Sequence, residues 1–357
     1  MLKKWFKILL SIGLGGLFLW LAFRNVNFHD LGRHLDHITY WWILPFILVT
    51  LFSHYCRAER WRLLIEEEDV KPNRMTLYAG VMFGYLLNLI FPRLGEVSRP
   101  MYVAKRENLS SSNLIGTIIL ERVIDLLSMG ILMFIVAVYV IADTNLLRQI
   151  FGNATVSFFQ NIFQVSHILY LIGGLAGLGI LGYLIIKLVG LLGNRYEIVA
   201  KFIDKIQQFN RMFVDGLLAI RKVKNWGAFI GFTVLIWFNY ILMTYIPFWM
   251  FHMQSTYDLG LLEALTVTVI SAVGIAIPTP GGIGTYHYFV KQALLILFAV
   301  PAVTGLAYAT VTHATMSLII IIFTPIFMLI DKFKGANPSK NPQTVENLAE
   351  IKDGEIE

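Results

Sequence analysis

Asn88-Leu89-Ile90-Phe91-Pro92-Arg93-Leu94-Gly95-Glu96-Val97-Ser98-Arg99-Pro100 sets two arginines and a carboxylate directly after an apolar segment, in a chain that is 57% hydrophobic and 15% charged. The segment, about 75 to 92, contains Gly80, Gly84 and Asn88 and stops at Pro92. Lys71 and Arg74 precede it; Arg93, Arg99, Lys105 and Arg106 follow it. Cations flanking membrane segments gather on the cytoplasmic side, so a full crossing would strand one cluster. The stretch therefore reads as a re-entrant hairpin that enters and leaves from the cytoplasm, its broken backbone shielded by protein or facing a wet cavity. A distant stretch, Ile277-Pro278-Thr279-Pro280-Gly281-Gly282-Ile283-Gly284-Thr285-Tyr286-His287, breaks another apolar segment with the same Pro/Gly chemistry. Laying Pro92 on Pro278 brings Gly95 onto Gly281, Tyr102 onto Tyr288 and Lys105 onto Lys291, a short match of the kind an internal repeat leaves.

Outward from these breaks, the composition of the 357 residues lies outside the soluble globular range and defines an all-α, polytopic membrane protein. The net charge of +6 sits in short basic clusters between apolar runs, which fixes topology and gives no reason to expect nucleic acid. A single cysteine, Cys56, excludes an intrachain disulfide and a multi-cysteine metal site, and no metal or other cofactor is expected. The charged start Lys3-Lys4-Trp5 and the apolar run to Phe23 read as an uncleaved first span.

A bilayer core of about 30 Å needs roughly 20 apolar helical residues. Runs of that length give span one at about 6 to 23, span two at 41 to 65, span three at 112 to 142, span four at 167 to 192, span five at 226 to 252 and span six at 302 to 331. A short connecting helix is expected within 24 to 40, and a basic amphipathic helix on the cytoplasmic leaflet follows span four. Segments of about 260 to 278 and 286 to 300 form a second hairpin, entered from outside. Six spans and two hairpins place both termini in the cytoplasm and give an inverted-topology repeat, with halves of about 1–150 and 160–334 forming one membrane domain and 335–357 a disordered tail.

Arg93, Glu96 and Arg99, at i, i+3 and i+6, would share a helix face and suit a phosphate or lipid headgroup, with Gly95 permitting close approach; the bland alternative is an anchor to anionic headgroups. Glu121, Arg122 and Asp125 lie inside an apolar span, where ionisable groups mark function by default, although an internal salt bridge would use the same residues. Arg57, Arg60 and Arg62 read as basic flanks at the inner interface. Pro278, Pro280, Gly281, Gly282 and Gly284 read as a helix break, and together with Pro92 and Gly95 as hinges or gates. His287 and His313 match no metal motif and read as hydrogen-bonded histidines, with His287 a candidate proton carrier.

Arg57 and Arg60 near the end of span two, Pro92-Arg93-x-Gly95-Glu96-x-x-Arg99, Glu121-Arg122 with Asp125, and Pro278-x-Pro280-Gly281-Gly282-x-Gly284, in this order, resemble the lysylphosphatidylglycerol synthase transmembrane family, also called flippase-like integral membrane proteins. The resemblance covers about residues 5 to 330. It implies a membrane protein handling phospholipids or polyprenyl-phosphate-linked glycans. The family's glycine motif is usually followed, three residues on, by a glutamate; His287 stands there in this chain. The synthases also carry a large soluble aminoacyl-transfer domain after the membrane part, whereas this chain ends about 25 residues past its last span, so synthase activity is not expected. The leading expectation is a translocase in the bacterial inner membrane, its partners membrane lipids, with Arg93, Arg99 and Arg122 holding a phosphate and Glu96 and Asp125 positioning them. The alternatives are a membrane-embedded transferase using a lipid-linked substrate and a non-transporting assembly partner. Oligomeric state is not set by the sequence.

Overall fold

The computed structural model describes residues 2–24, 26–36, 38–65, 71–142 and 223–334, and every regular element among them is helical. In chain order these are α1 (Leu2–Phe23), α2 (Phe28–Asp36), a 3-10 turn (Tyr40–Trp42), α3 (Ile43–Ile65), α4 (Arg74–Ile90), α5 (Gly95–Glu107), α6 (Ser111–Ala142), α7 (Trp226–Met250), α8 (Met253–Thr256), α9 (Leu261–Ala276), a 3-10 turn (Pro280–Gly282), α10 (Thr285–Phe298) and α11 (Ala302–Lys334). Three stretches are long and apolar enough to cross a membrane: Asn113–Val140, Trp226–Met250 and Ala302–Phe333. A fourth forms if His29–Asp36 and Tyr40–Ile65, which meet at 78°, count as one bent span. These elements fall where spans two, three, five and six are expected, and α1 where span one is. Span four, the amphipathic connector and the tail lie outside the described residues.

Both expected breaks are present. α4 is opened by Asn73, whose Oδ1 accepts from the Met75 N–H at 2.8 Å, and it stops two residues before Pro92. α9 starts where Glu263 accepts from the Gly260 N–H at 2.7 Å, and it stops two residues before Pro278. Proline drives the residue ahead of it out of the helical region, so both helices end for the same reason. α5 and α10 each finish at a left-handed residue, Asn108 (φ 56°) and Ala299 (φ 54°), and α6 and α11 each begin three residues later. The two halves thus repeat one plan: helix, Pro/Gly break, helix, left-handed cap, long helix.

The chain forms two compact units, one of residues 1–121 and 222–357, the other of 122–221. Both sequence halves therefore contribute to the first unit. Within it α3 packs on α7 and α4, α4 on α5 and α11, α9 on α10, and α10 on α1 and α11. One apolar core gathers Trp61, Leu77, Met82, Val103 and Ile118; another gathers Phe248, Val267, Leu294 and Tyr308. Of the second unit, the described residues continue α6 to Ala142, with exposed Leu126, Ile131 and Phe134 such as a lipid-facing helix presents.

Near the end of α11, Asp331 is buried and accepts from Thr76 at 2.6 Å, Tyr102 at 2.7 Å and Arg106 Nε at 3.0 Å; Arg106 Nη2 also donates to its carbonyl at 2.7 Å. This carboxylate pins α11 to both limbs of the first hairpin. Asparagine offers one acceptor where the carboxylate offers two, so Asp331→Asn is expected to cost about 1–3 kcal/mol. Thermal unfolding in detergent measures it, and an unchanged melting temperature would show that the latch does not depend on the charge.

Candidate functional site: a buried arginine cluster

Ser53, Arg57 and Arg60 follow one another on α3 at i, i+4 and i+7 and so share a stripe, with His54 and Trp61 on the adjoining one. All five are buried. The approach of α5 is set by glycine: a Cβ on Gly95 would lie 2.2 Å from the Gly84 carbonyl oxygen, and the Gly95 N–H donates to Asn88 Oδ1 at 2.7 Å. Only a residue without a side chain lets the two backbones meet this closely. One turn on, Arg99 is carried inward to lie over Trp61, its Cζ 3.9 Å from the ring centroid.

From α6, Glu121 enters the same place with no exposure at all. Arg57 Nη1 donates to its Oε1. Arg60 Nη2 stands 3.3 Å from Oε1, and Arg99 reaches Oε2 at 3.1 Å and Oε1 at 3.3 Å. Arg57 Nη2 also donates to the Tyr240 hydroxyl of α7 at 2.9 Å. Glu59 is turned aside, pairing with Arg62 at 3.0 Å and Arg74 at 3.4 Å. Among the described residues, then, three guanidinium groups converge on one buried carboxylate. Guanidinium groups present planar forks of N–H donors, the geometry that carboxylate and phosphate oxygens accept.

The structure unites Arg99 and Glu121 as expected residues of this cluster and adds Arg57 and Arg60, which read from the sequence as interface flanks. It does not put Arg93 on the helix face of Arg99: Arg93 is exposed, in the left-handed region at φ 62°, ahead of a helix that begins at Gly95, and its Nη2 is 3.5 Å from the Ala276 carbonyl. Glu96 is half-buried on the first turn of α5. Arg122 is exposed and stands 3.7 Å from Asp125, a pair contained in the second unit. The breaks themselves meet, since Arg93 touches the end of α9 and Gly281 (φ 57°) backs onto Leu89 of α4. Pro92 is half-buried in the first turn; Pro280, Gly281 and Gly282 form the second, with Pro278 ahead of it and Gly284 (φ 85°) at the start of α10. His287 lies 5.0 Å from the ring of His313, whose Nε2 is 2.8 Å from the Gly281 carbonyl, so the histidines belong to the second break.

Apolar helices of spanning length and broken hairpins together define a polytopic membrane protein, with a buried cluster of arginines on one carboxylate inside it. The chain belongs to the lysylphosphatidylglycerol synthase transmembrane family, described as "Lysylphosphatidylglycerol synthase TM region", which matches residues 8–323. It is 25% identical to the UPF0104 membrane protein MJ1595 of Methanocaldococcus jannaschii over 256 residues, 68% of this chain and 70% of that protein. It is 24% identical to the UPF0104 membrane protein PH1989 of Pyrococcus horikoshii over 310 residues, 84% and 88% of the two chains. No solved structure matches it.

Proposed function

We propose that the protein is a translocase that moves a phosphate-bearing lipid between leaflets, with Arg57, Arg60 and Arg99 as the phosphate clamp. Glu121 is the internal anion that holds the three cations together until the lipid arrives. The observation that carries this reading is the convergence of three guanidinium groups on one carboxylate inside the fold. Six spans, two halves of inverted topology, a location in the cytoplasmic membrane and termini on its inner side complete the proposal. The abutting breaks, Pro92 to Gly95 and Pro278 to Gly284, are its gates, and Arg93 with Glu96 meets the headgroup at the exposed turn between them.

The test is leaflet exchange of fluorescent phosphatidylglycerol in proteoliposomes, native protein against Arg99→Lys at matched incorporation. Lysine keeps the charge but loses the bidentate fork and the flat contact with Trp61, so exchange is expected to fall about tenfold or more. Full exchange by a folded Arg99→Lys variant would reduce the cluster to a structural anchor. No exchange by the native protein, with consumption of a lipid-linked donor instead, would favour a transferase.

A further inference from the structure

The two halves bring ionisable groups together at corresponding places. In the first, Arg99 near the start of α5 meets Glu121 of α6; in the second, His287 near the start of α10 meets His313 of α11, the rings 5.0 Å apart. Glu121 and His313 lie at nearly the same depth from the starts of their helices, Ser111 and Ala302. The two meetings differ in charge. The first half holds guanidinium groups on a carboxylate, whereas the second sets one imidazole against another, both buried. The Gly281 carbonyl, an acceptor only, fixes the tautomer of His313: Nε2 carries the hydrogen, 2.8 Å from that oxygen. His287 Nδ1 has no hydrogen-bond partner among the described residues. Buried polar atoms are paired as a rule, so a bare ring nitrogen at a helix break points to something that binds there in turn.

The surroundings leave a proton to these two residues. Tyr286 stands edge-on to His287 at 6.0 Å and 5.4 Å from His313, its hydroxyl tied to Thr312 at 3.0 Å. Lys291, one turn past His287, donates to carbonyls of α1. α1 itself meets His287 through Phe23, with Arg24 beyond it over Trp20 and its lysines at the other end. On α9, Glu263 caps the far end, about 20 Å from the break by helical rise, and on α11 Asp331 lies about 27 Å from His313 by the same measure. α2, packed on α11, pairs Asp30 with Arg33 and exposes His29, His34 and Asp36. α3 and α4 also border α11; their ionisable groups are the arginine cluster with His54 and Tyr85, and the Glu59–Arg74 pair. Among the described residues, then, no carboxylate faces the pair. Two positive imidazoles this close would repel in an apolar body, so the pair takes one proton at a time.

That proton acts on the break. Charging His287 makes its bare Nδ1 a donor and sets the ring against His313, which holds the Gly281 carbonyl; Gly281 in turn backs onto Leu89 of the first hairpin. We infer, on the translocase reading, that His287 and His313 form a proton-binding site and that lipid movement is coupled to proton movement. His287 takes the proton on its Nδ1 lone pair from one side of the membrane and gives it up to the other as the second break rearranges. No other bond is made or broken.

Fluorescent phosphatidylglycerol in proteoliposomes tests this, with the membrane potential clamped and a lumenal pH dye reporting proton movement. At equal pH on both sides, exchange by the native protein is expected to change about tenfold or more between about pH 5 and pH 8. One proton per lipid lets a gradient of about one pH unit sustain a leaflet ratio of up to about ten, so a ratio of about three or more is expected, with a matching dye signal. His287→Gln keeps amide hydrogen bonding but does not titrate, and His313→Gln still donates to the Gly281 carbonyl. Each is expected to flatten the pH profile and abolish both the leaflet asymmetry and the dye signal, and either serves if the other fails to fold. Native exchange indifferent to pH and to the gradient would overturn the proton site and leave the translocase reading standing, whatever the variants do. Asymmetry that survives in a folded variant would overturn the assignment to this pair. No exchange by the native protein at any pH would overturn both readings.

Discussion

Glu121→Gln is expected to cost the protein about 3–5 kcal/mol, more than removal of any one arginine around it. Glutamine keeps the shape and much of the hydrogen bonding of glutamate but removes the negative charge on which Arg57, Arg60 and Arg99 converge. The three cations then repel one another where solvent does not screen them, since the side-chain exposure of the four groups is 0–6%. Arg57→Gln, by contrast, leaves two guanidinium groups on the carboxylate and relieves crowding, so its cost is smaller. Thermal unfolding of the two variants in the same detergent gives the order. If Arg57→Gln proved the more damaging, another anion would have to be balancing the cluster.

Gly95→Ala is expected to lose about 2–4 kcal/mol and to abolish lipid exchange with it. The new Cβ would stand 2.2 Å from the Gly84 carbonyl oxygen, 2.7 Å from its carbon and 2.8 Å from Asn88 Oδ1. Asn88 can rotate away, giving up its bond to the Gly95 N–H; the Gly84 backbone cannot. α4 and α5 must separate, and Arg99 leaves Trp61 and Glu121 as they do. Gly116→Ala is the control, because its Cβ meets nothing within 4 Å and alanine gains up to about 1 kcal/mol in a helix interior. A Gly95→Ala protein that melts with the Gly116→Ala protein and still exchanges lipid would refute the close-approach argument.

The long apolar helices at spans two, three, five and six were legible in the sequence because bilayer thickness writes itself as run length, and the breaks because proline and glycine stop helices by local sterics. The match of Pro92 with Pro278 had little weight alone; the shared ends of α4 and α9 and the paired left-handed residues Asn108 and Ala299 give it substance. Charge was harder to read. Arg57 and Arg60 stand at the end of a span, where basic residues ordinarily mark the interface, and nothing local reveals that their carboxylate lies 64 residues on from Arg57. The available clue was the spacing of Ser53, Arg57 and Arg60 on one stripe, while Arg62 falls on another and pairs with Glu59. Arg93, Glu96 and Arg99 share a face only if the helix includes position 93, and a left-handed residue there removes Arg93 from it. His313, in a different helix from His287, becomes its neighbour only through the packing of α10 on α11.

The first helix is bolted to the second break at two points. Gly284 touches the Gly15 backbone so closely that a Cβ would lie 2.3 Å from its oxygen. Lys291 Nζ, buried, donates to the carbonyls of Leu21 at 3.1 Å and Ala22 at 2.7 Å. The fastenings are about 10 Å apart along α1, far enough to resist tilting as well as sliding. α1 and α10 therefore form one lever. Whatever grips the start of α1, whether lipid, a fused domain or a neighbouring protein, has mechanical purchase on the break at Gly281 to Gly284.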